Sequence, residues 1–300
     1  MEKKRIAAVV VTYNRFELLK TCIESLRAQS RVLDRIIVVN NGSTDGTRSW
    51  LDSQSELKVV HQENGGGSFG FYTGIKTAFE MGFDFIWCMD DDVRPRPDCL
   101  DVLLKYDSEK VGILCPARIM NGVVYVNEKL EINLKKPFGN HRIMSVSDIK
   151  DDAPIAIEGM TFEGPLIKRS VVEKIGYPNK DLFLSYDDTD YSLRAVLEGF
   201  KVFYVPAAIM DKEFFQESTK VEFVRKNKWK VWYFIRNGAY IQFKYGKNLP
   251  AKYISGLKTA LYVFGCILVN YPRNDKYCLS DFVKPFSMYF RGLLGRLGKM

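Results

Sequence analysis

Two sets of carboxylates carry the chemistry in a chain of 300 residues. Asp90, Asp91 and Asp92 follow directly on the apolar run Phe85-Ile86-Trp87-Cys88-Met89. Three adjacent carboxylates at the end of a buried strand repel one another, and a bound dication relieves that repulsion. Hard oxygen ligands suit Mg²⁺ or Mn²⁺, which can bridge to a diphosphate. A solvated acidic loop is the plain alternative, but exposed loops rarely follow so buried a run directly. About a hundred residues further on, Asp187, Asp188 and Asp190 open a predicted helix. Acids there can act merely as N-terminal charge, each worth about 0.3–1 kcal/mol. Beside a metal-diphosphate site, one of them is instead a candidate general base for an attacking hydroxyl.

Two other strings put polar or flexible backbone where a ligand can approach. Asn64-Gly65-Gly66-Gly67-Ser68-Phe69-Gly70 is glycine-rich, and its amides can cradle phosphate. It matches neither the Walker loop nor the dinucleotide fingerprint. Val11-Thr12-Tyr13-Asn14-Arg15 leaves the first strand with polar groups, which suits either a turn or a ligand contact. His61 and His141 are the only histidines, which removes most zinc sites and argues against a Ser-His-Asp hydrolase.

Placing these strings requires strands alternating with helices. Buried strands are predicted at 5–11, 35–39, 57–61 and 83–89. Helices are predicted at 15–29, through Trp50 and Leu51, and from the glycine loop to about Met81. That alternation implies an α/β fold with a mostly parallel twisted sheet. Regularity weakens after Val111–Cys115. Phe200–Val205 reads as a last strand stopped by Pro206. From about Val221, aromatic, apolar and basic residues intermix in two or three helices. The expected division is a catalytic domain over 1–215 and a helical extension over 216–300.

Charge divides at nearly the same place. Residues 1–210 hold 27 Lys and Arg against 30 Asp and Glu, whereas residues 211–300 hold 17 against 6. Within 223–300 only Asp275 and Asp281 are acidic. Bases such as Lys226, Lys228, Lys230 and Arg236 interleave with Trp229, Trp232, Tyr233 and Phe234. Basic, aromatic amphipathic helices favour anionic bilayer surfaces. No nucleic-acid motif is present, and a core-packed appendage with a solvated basic face is the competing reading. The N-terminal apolar run, Ile6–Val11, is too short for a signal peptide. The longest uncharged stretch near the C-terminus, 259–272, falls short of the roughly 20 residues of a bilayer span. The six cysteines form no C-x-x-C pair, so buried reduced thiols are expected. These features imply a cytoplasmic protein, peripheral on the inner face of the cell membrane.

In chain order, VVVTYNR (9–15), VVNNGSTDGT (38–47), NGGGSFGF (64–71), WCMDDDV (87–93), YDDTDYSLRA (186–195) and KWKVWYFIRN (228–237) resemble the family 2 glycosyltransferases of GT-A fold. The long form most resembles the bacterial galactofuranosyltransferases, with rhamnosyltransferases of polysaccharide assembly as close relatives. The resemblance implies that Thr12, Tyr13, Asn14 and Asn41 lie around the nucleotide. It brings Asn64, Gly66 and Gly67 close to the sugar or diphosphate. Asp90 and Asp92 match metal-binding aspartates, and Asp91 lies beside the ribose or sugar. Asp188 matches the catalytic base, with Asp187 and Asp190 supporting it. The implied reaction is inverting, metal-dependent transfer from UDP-galactofuranose, or secondly dTDP-rhamnose, to a glycan or polyprenyl-diphosphate-linked acceptor.

The sequence departs from the pattern twice. Asn40-Asn41-Gly42-Ser43 stands where many members have Asp-Gly-Ser, so a charge is lost. The metal-ligating His past the last strand is missing from Ala207–Lys212, and Asp211 is the candidate oxygen ligand in its place. Other classes stay open at this level: a non-catalytic nucleotide-sugar-binding protein, or a nucleotidyltransferase of similar fold.

Overall fold

A computed structural model describes residues 4–213, 227–271 and 278–300. The expected boundary at 215–220 lies outside these residues, as do Lys226 and Asp275. Among the described residues the chain forms two compact units. The first takes 4–131, 143–180 and 188–213, and the second takes 132–142, 181–187, 227–271 and 278–300.

The first unit is built on a ten-stranded sheet. Strands β1 (Ile6–Thr12), β2 (Arg35–Asn40), β3 (Lys58–His61) and β4 (Phe85–Asp90) are parallel, in the order β4-β1-β2-β3. Side chains alternate along them. Ala7, Val9, Val11, Ile37, Val39 and Ile86 face one core with Phe71 and Ile75 of helix α3 (Gly66–Glu80). Ile6, Ala8, Val10, Val38, Phe85 and Trp87 face the other with Leu19 and Ile23 of α1 (Phe16–Arg27). Burial on both faces explains why these strands read as continuous apolar runs. Helix α3 lies hard against β1. A Cβ added at Gly70 would come within 2.4 Å of Val11, and one at Gly74 within 2.2 Å of Val9.

The other half of the sheet is less regular. After the helix α2 (Thr47–Asp52), the short strand β5 (Val93–Pro95) and the helix α4 (Cys99–Leu104), the chain forms β6 (Val111–Met120) and β7 (Val123–Tyr125). Short strands β8 (Lys129–Ile132), β9 (His141–Ile143), β10 (Ile155–Ile157) and β11 (Leu166–Lys168) follow, then α5 (Arg169–Ile175), α6 (Asp187–Leu197) and β12 (Lys201–Lys212). Strand β11 inserts antiparallel between β4 and β6, and β12 runs parallel to β6. The sheet is therefore mixed rather than mostly parallel. The last strand also differs from expectation: it does not stop at Pro206 but continues to Lys212. The register shifts between Val205 and Ile209, so an irregularity absorbs the proline's missing donor.

The second unit centres on α7 (Lys228–Tyr245), α8 (Leu249–Asn270) and α9 (Ser280–Leu293). Trp232, Ile235, Ala239, Val263, Ile267 and Met288 form its core. Gly292 permits close helix contact, since a Cβ there would sit 2.2 Å from the Arg236 carbonyl oxygen. Helix α8 is longer than the 14-residue uncharged stretch suggested. Its 22 residues are long and apolar enough to cross a membrane by length and composition. Yet it buries Ala251, Ala260, Val263 and Ile267 within its own unit. The outward side exposes Ile254, Leu261, Tyr262, Leu268 and Val269. Around α9, Leu279, Val283, Phe290 and Leu294 are exposed at helical spacing, close in sequence to Lys284 and Arg291.

Segment 181–187 of this unit is strained. Phe183, Ser185 and Tyr186 have φ of 64°, 68° and 69°, a left-handed backbone that non-glycine residues enter at a cost of about 1–3 kcal/mol each. Asn237 of α7 compensates. Its amide nitrogen donates to the carbonyl oxygens of Leu182, Leu184 and Ser185 at 2.8, 2.9 and 3.0 Å. Arg236 adds a 3.0 Å bond to Leu182.

Cys22, Cys88, Cys99, Cys115 and Cys266 are buried and Cys278 is exposed, all as free thiols. Burial pushes the Cys88, Cys99 and Cys115 thiols up, which makes them poor nucleophiles.

Candidate active site

Strand β4 ends at the sheet's carboxyl edge, the usual ligand-binding edge of such sheets. Asp91 there is nearly fully buried. It accepts hydrogen bonds from Thr12 Oγ1 at 2.7 Å and from an Arg15 guanidinium nitrogen at 3.1 Å. The same Arg15 nitrogen lies 3.2 Å from Asp92 Oδ2. Lys212 Nζ lies 3.2 Å from Asp92 Oδ1 and 2.8 Å from Glu163 Oε1. Behind Glu163, buried Arg118 donates to it at 2.9 Å and also contacts Thr161 and Glu128. The sequence thus yielded Thr12, Asp90, Asp91 and Asp92 but not Arg15, Arg118, Glu163 and Lys212 as a network. Lys212 was hidden because its place depends on β12 continuing past Pro206.

The charges of this cluster do not cancel. Carboxylates of Asp90, Asp91, Asp92, Glu128 and Glu163 face the cations of Arg15, Arg118 and Lys212, an excess of two negative charges. Asp90 ends β4 at the edge of this cluster. Burial, together with Asp92, Glu163 and Asp91, pushes its carboxyl well above the usual carboxylate range. Glu163 behaves oppositely. Burial would raise it, but Arg118 and Lys212 hold it below that range.

That imbalance fits a divalent cation. Among the described residues no three His, Cys, Asp or Glu side chains already form a ligand group. Mg²⁺ and Mn²⁺ need few protein ligands when substrate phosphates and water complete the shell. In that arrangement Asp90 and Asp92 are the residues that would hold it. Asp211, the expected substitute for a histidine, is not brought there. It pairs with Arg96 at 3.2 and 3.1 Å on the exposed side of β12, opposite to its neighbour Lys212. Alternation along a strand explains the separation.

The second carboxylate set has mixed placements. Asp188 Oδ1 accepts from the Thr189 N–H at 2.6 Å and from its hydroxyl at 3.2 Å. Lys129 Nζ in turn donates to Thr189 Oγ1 at 2.8 Å. No described residue bonds to Asp188 Oδ2. Burial raises the Asp188 carboxyl, Lys129 and Thr189 pull it back, and Glu163 raises it again. Segment 160–164 runs between the elements that carry the two sets: the Met160 N–H donates to Ser192 Oγ of α6 at 3.2 Å, and the Gly164 N–H to the Cys88 carbonyl oxygen of β4 at 2.9 Å. Asp190 is fully buried and pairs with Arg194 at 2.9 Å, a scaffold contact within α6. Asp187 is buried at the first position of that helix.

The remaining strings form a clamp on the glycine loop. Asn41 donates to the Gly66 carbonyl oxygen at 2.9 Å and to Asn64 Oδ1 at 3.4 Å, while its own oxygen accepts from Gln62 and the Gly65 N–H. Asn64 Oδ1 accepts from the Gly66 N–H at 2.9 Å. Gly66 has φ of 83°, which favours glycine, and a Cβ at Gly67 would meet open space. Asn41 thus engages the loop with both ends of its amide. Asn14 Oδ1 accepts from the Thr44 N–H at 2.7 Å, and Tyr13 is exposed beside it.

The mixed sheet flanked by helices, with three aspartates at the carboxyl end of β4 and a further aspartate pair opening α6, has the GT-A fold. Residues 7–176 match the model described as glycosyl transferase family 2, and the chain belongs to that family. It is 27% identical over 209 residues to galactofuranosyltransferase GlfT1 of Mycolicibacterium smegmatis, across 65% of this chain and 66% of that relative. The aligned part is just under two thirds of that protein's length. Poly-beta-1,6-N-acetyl-D-glucosamine synthase of Staphylococcus aureus is 24% identical over 217 residues, which are 69% of this chain and 50% of the relative. Among solved structures, mannosyltransferase PcManGT of Pyrobaculum calidifontis, in complex with GDP-Man and Mn²⁺, superposes with a TM-score of 0.57. Its sequence identity is 17%, over 98% of this chain and 89% of that one.

Proposed function

We propose that the protein transfers galactofuranose, with inversion, from UDP-galactofuranose to a cell-surface glycan or polyprenyl-diphosphate-linked acceptor. The motif resemblance and the similarity to galactofuranosyltransferase GlfT1 support that donor, and dTDP-rhamnose is the second candidate. The observation that carries the reading is segment 160–164, which bonds to α6 at one end (Met160 N–H to Ser192 Oγ, 3.2 Å) and to β4 at the other (Gly164 N–H to the Cys88 carbonyl oxygen, 2.9 Å). It supports a leaving-group side and a base that serve one reaction.

In this reading Asp188 takes the proton of the acceptor hydroxyl at Oδ2, the oxygen to which no described residue bonds. Lys129 and Thr189 orient the carboxylate through Oδ1. Asp90 and Asp92 would hold a Mn²⁺ or Mg²⁺ ion. Such an ion supplies charge neutralisation for the departing diphosphate. Thr12 and Arg15 keep Asp91 in place toward the ribose or sugar. The Asn41 clamp keeps Gly66 and Gly67 shaped for the sugar-diphosphate. Direct displacement on one face inverts the anomeric centre.

The catalytic domain is proposed to cover about 1–215 and the extension 216–300. The extension's basic composition and outward apolar residues support a peripheral position on the cytoplasmic face of the cell membrane.

Asp188→Asn tests the central claim. Transfer should fall by about 10²–10⁴-fold, the usual worth of a general base. Donor binding, measured by calorimetry, should stay within about twofold, because Asn keeps the shape. Donor binding lost in step with transfer would remove Asp188 from the base role.

A further inference from the structure

Lys212 occupies an unusual position for a cation beside a proposed metal site. Its side chain is only 8% exposed, and its ammonium bridges Asp92 Oδ1 and Glu163 Oε1. Both Asp92 oxygens face a cation, since Oδ2 accepts from Arg15. Arg15 is much more exposed than Lys212 and also holds Asp91. Glu163 is fixed independently by Arg118, whose other partner, Glu128, is buried.

We propose that Lys212 is a built-in counter-ion that occupies the Asp92 oxygen a divalent metal needs, and that metal entry requires its ammonium to withdraw onto Glu163. The geometry allows this exchange at low cost. An ammonium on a four-carbon stem is a mobile point charge, unlike a guanidinium fork. Glu163 stays in place while Lys212 moves, because Arg118 holds it from the other side. The buried ammonium therefore keeps a partner throughout, which avoids the penalty of an unpaired buried charge. The competition of Lys212 for Asp92 holds down the cluster's affinity for the ion.

This inference rests on the metal-assisted reading above, and one experiment separates the two. Mn²⁺ is titrated into the full chain without donor, with free Mn²⁺ followed by electron paramagnetic resonance. Wild type is compared with Lys212→Met, Lys212→Gln and Arg94→Met. Arg94 pairs with Glu213 at 3.0 Å, outside the cluster, so its loss controls for general charge removal. Both Lys212 variants should bind Mn²⁺ at least about tenfold more tightly than wild type. Arg94→Met should stay within about twofold, as expected for a screened, half-exposed pair. Lys212→Gln keeps a donor toward Glu163 and serves if the methionine variant does not fold. Unchanged or weaker binding in the Lys212 variants, or an equal gain in Arg94→Met, overturns the proposal while leaving the metal reading intact. No Mn²⁺ binding by wild type or any variant overturns both.

Discussion

At the scale of single residues, Asp188 ties structure to a measurable proton. A base works only while ionised, and burial raises this carboxyl above its usual range. Its deprotonated fraction, and kcat/KM with it, therefore rises as pH rises through the raised value and is lost below it. The acidic limb should fall above the ordinary aspartate value of about 4. Lys129 is the strongest opposing influence. Lys129→Met should accordingly move the limb to higher pH in a profile of kcat/KM, and an unmoved limb would mean that another group is titrating. The carboxylates themselves were legible in the sequence because adjacent like charges after an apolar strand demand a partner. Asn41 was only half legible. Its type fits a nucleotide edge, but its amide is fastened to the glycine loop.

Elements decide what those residues can reach. Strand β12 brings Lys212 into the cluster and turns Asp211 out to Arg96, a choice set by strand alternation. Proline read as a stop concealed that outcome, because a local irregularity in register leaves no trace in residue types. Helix α7 shows the converse. The string 228–237 marked the family, yet its task appears only in the fold, where Asn237 holds three carbonyls of the segment leading to Asp187 and Asp188. Asn237→Ala leaves the Leu184 and Ser185 carbonyls without their amide donor, while Leu182 keeps Arg236. Stability should drop by roughly 2–4 kcal/mol in chemical denaturation, the scale of two buried unsatisfied groups. In protein that still folds, kcat should fall while donor affinity is kept. Unchanged kcat would show that the segment tolerates other shapes.

For the whole molecule, the charge asymmetry was visible from composition, since the last 90 residues carry a surplus of 11 positive charges. The outward apolar residues were not, because helical spacing alone does not tell which of two apolar sides is covered. Their coexistence with bases predicts a specific kind of adsorption. The protein should bind vesicles containing anionic lipid, and binding should weaken with salt, at about 1 kcal/mol per well-placed base. Changing Leu279, Val283, Phe290 and Leu294 together to Ser should weaken it at any salt concentration in a sedimentation assay. Equal binding by that variant would assign the adsorption to charge alone.

The strained segment 181–187 has a further consequence for how the protein is made. A ribosome releases residues in order, at about 5–20 per second. Asp188 emerges roughly 3–10 seconds before Asn237, so for that interval the turn that leads into it has no amide to hold its left-handed backbone. The segment leading to the proposed base therefore takes its final shape late, after most of the sheet is complete. A chain interrupted before α7 would carry every proposed catalytic carboxylate and still lack the donor that shapes the approach to Asp188.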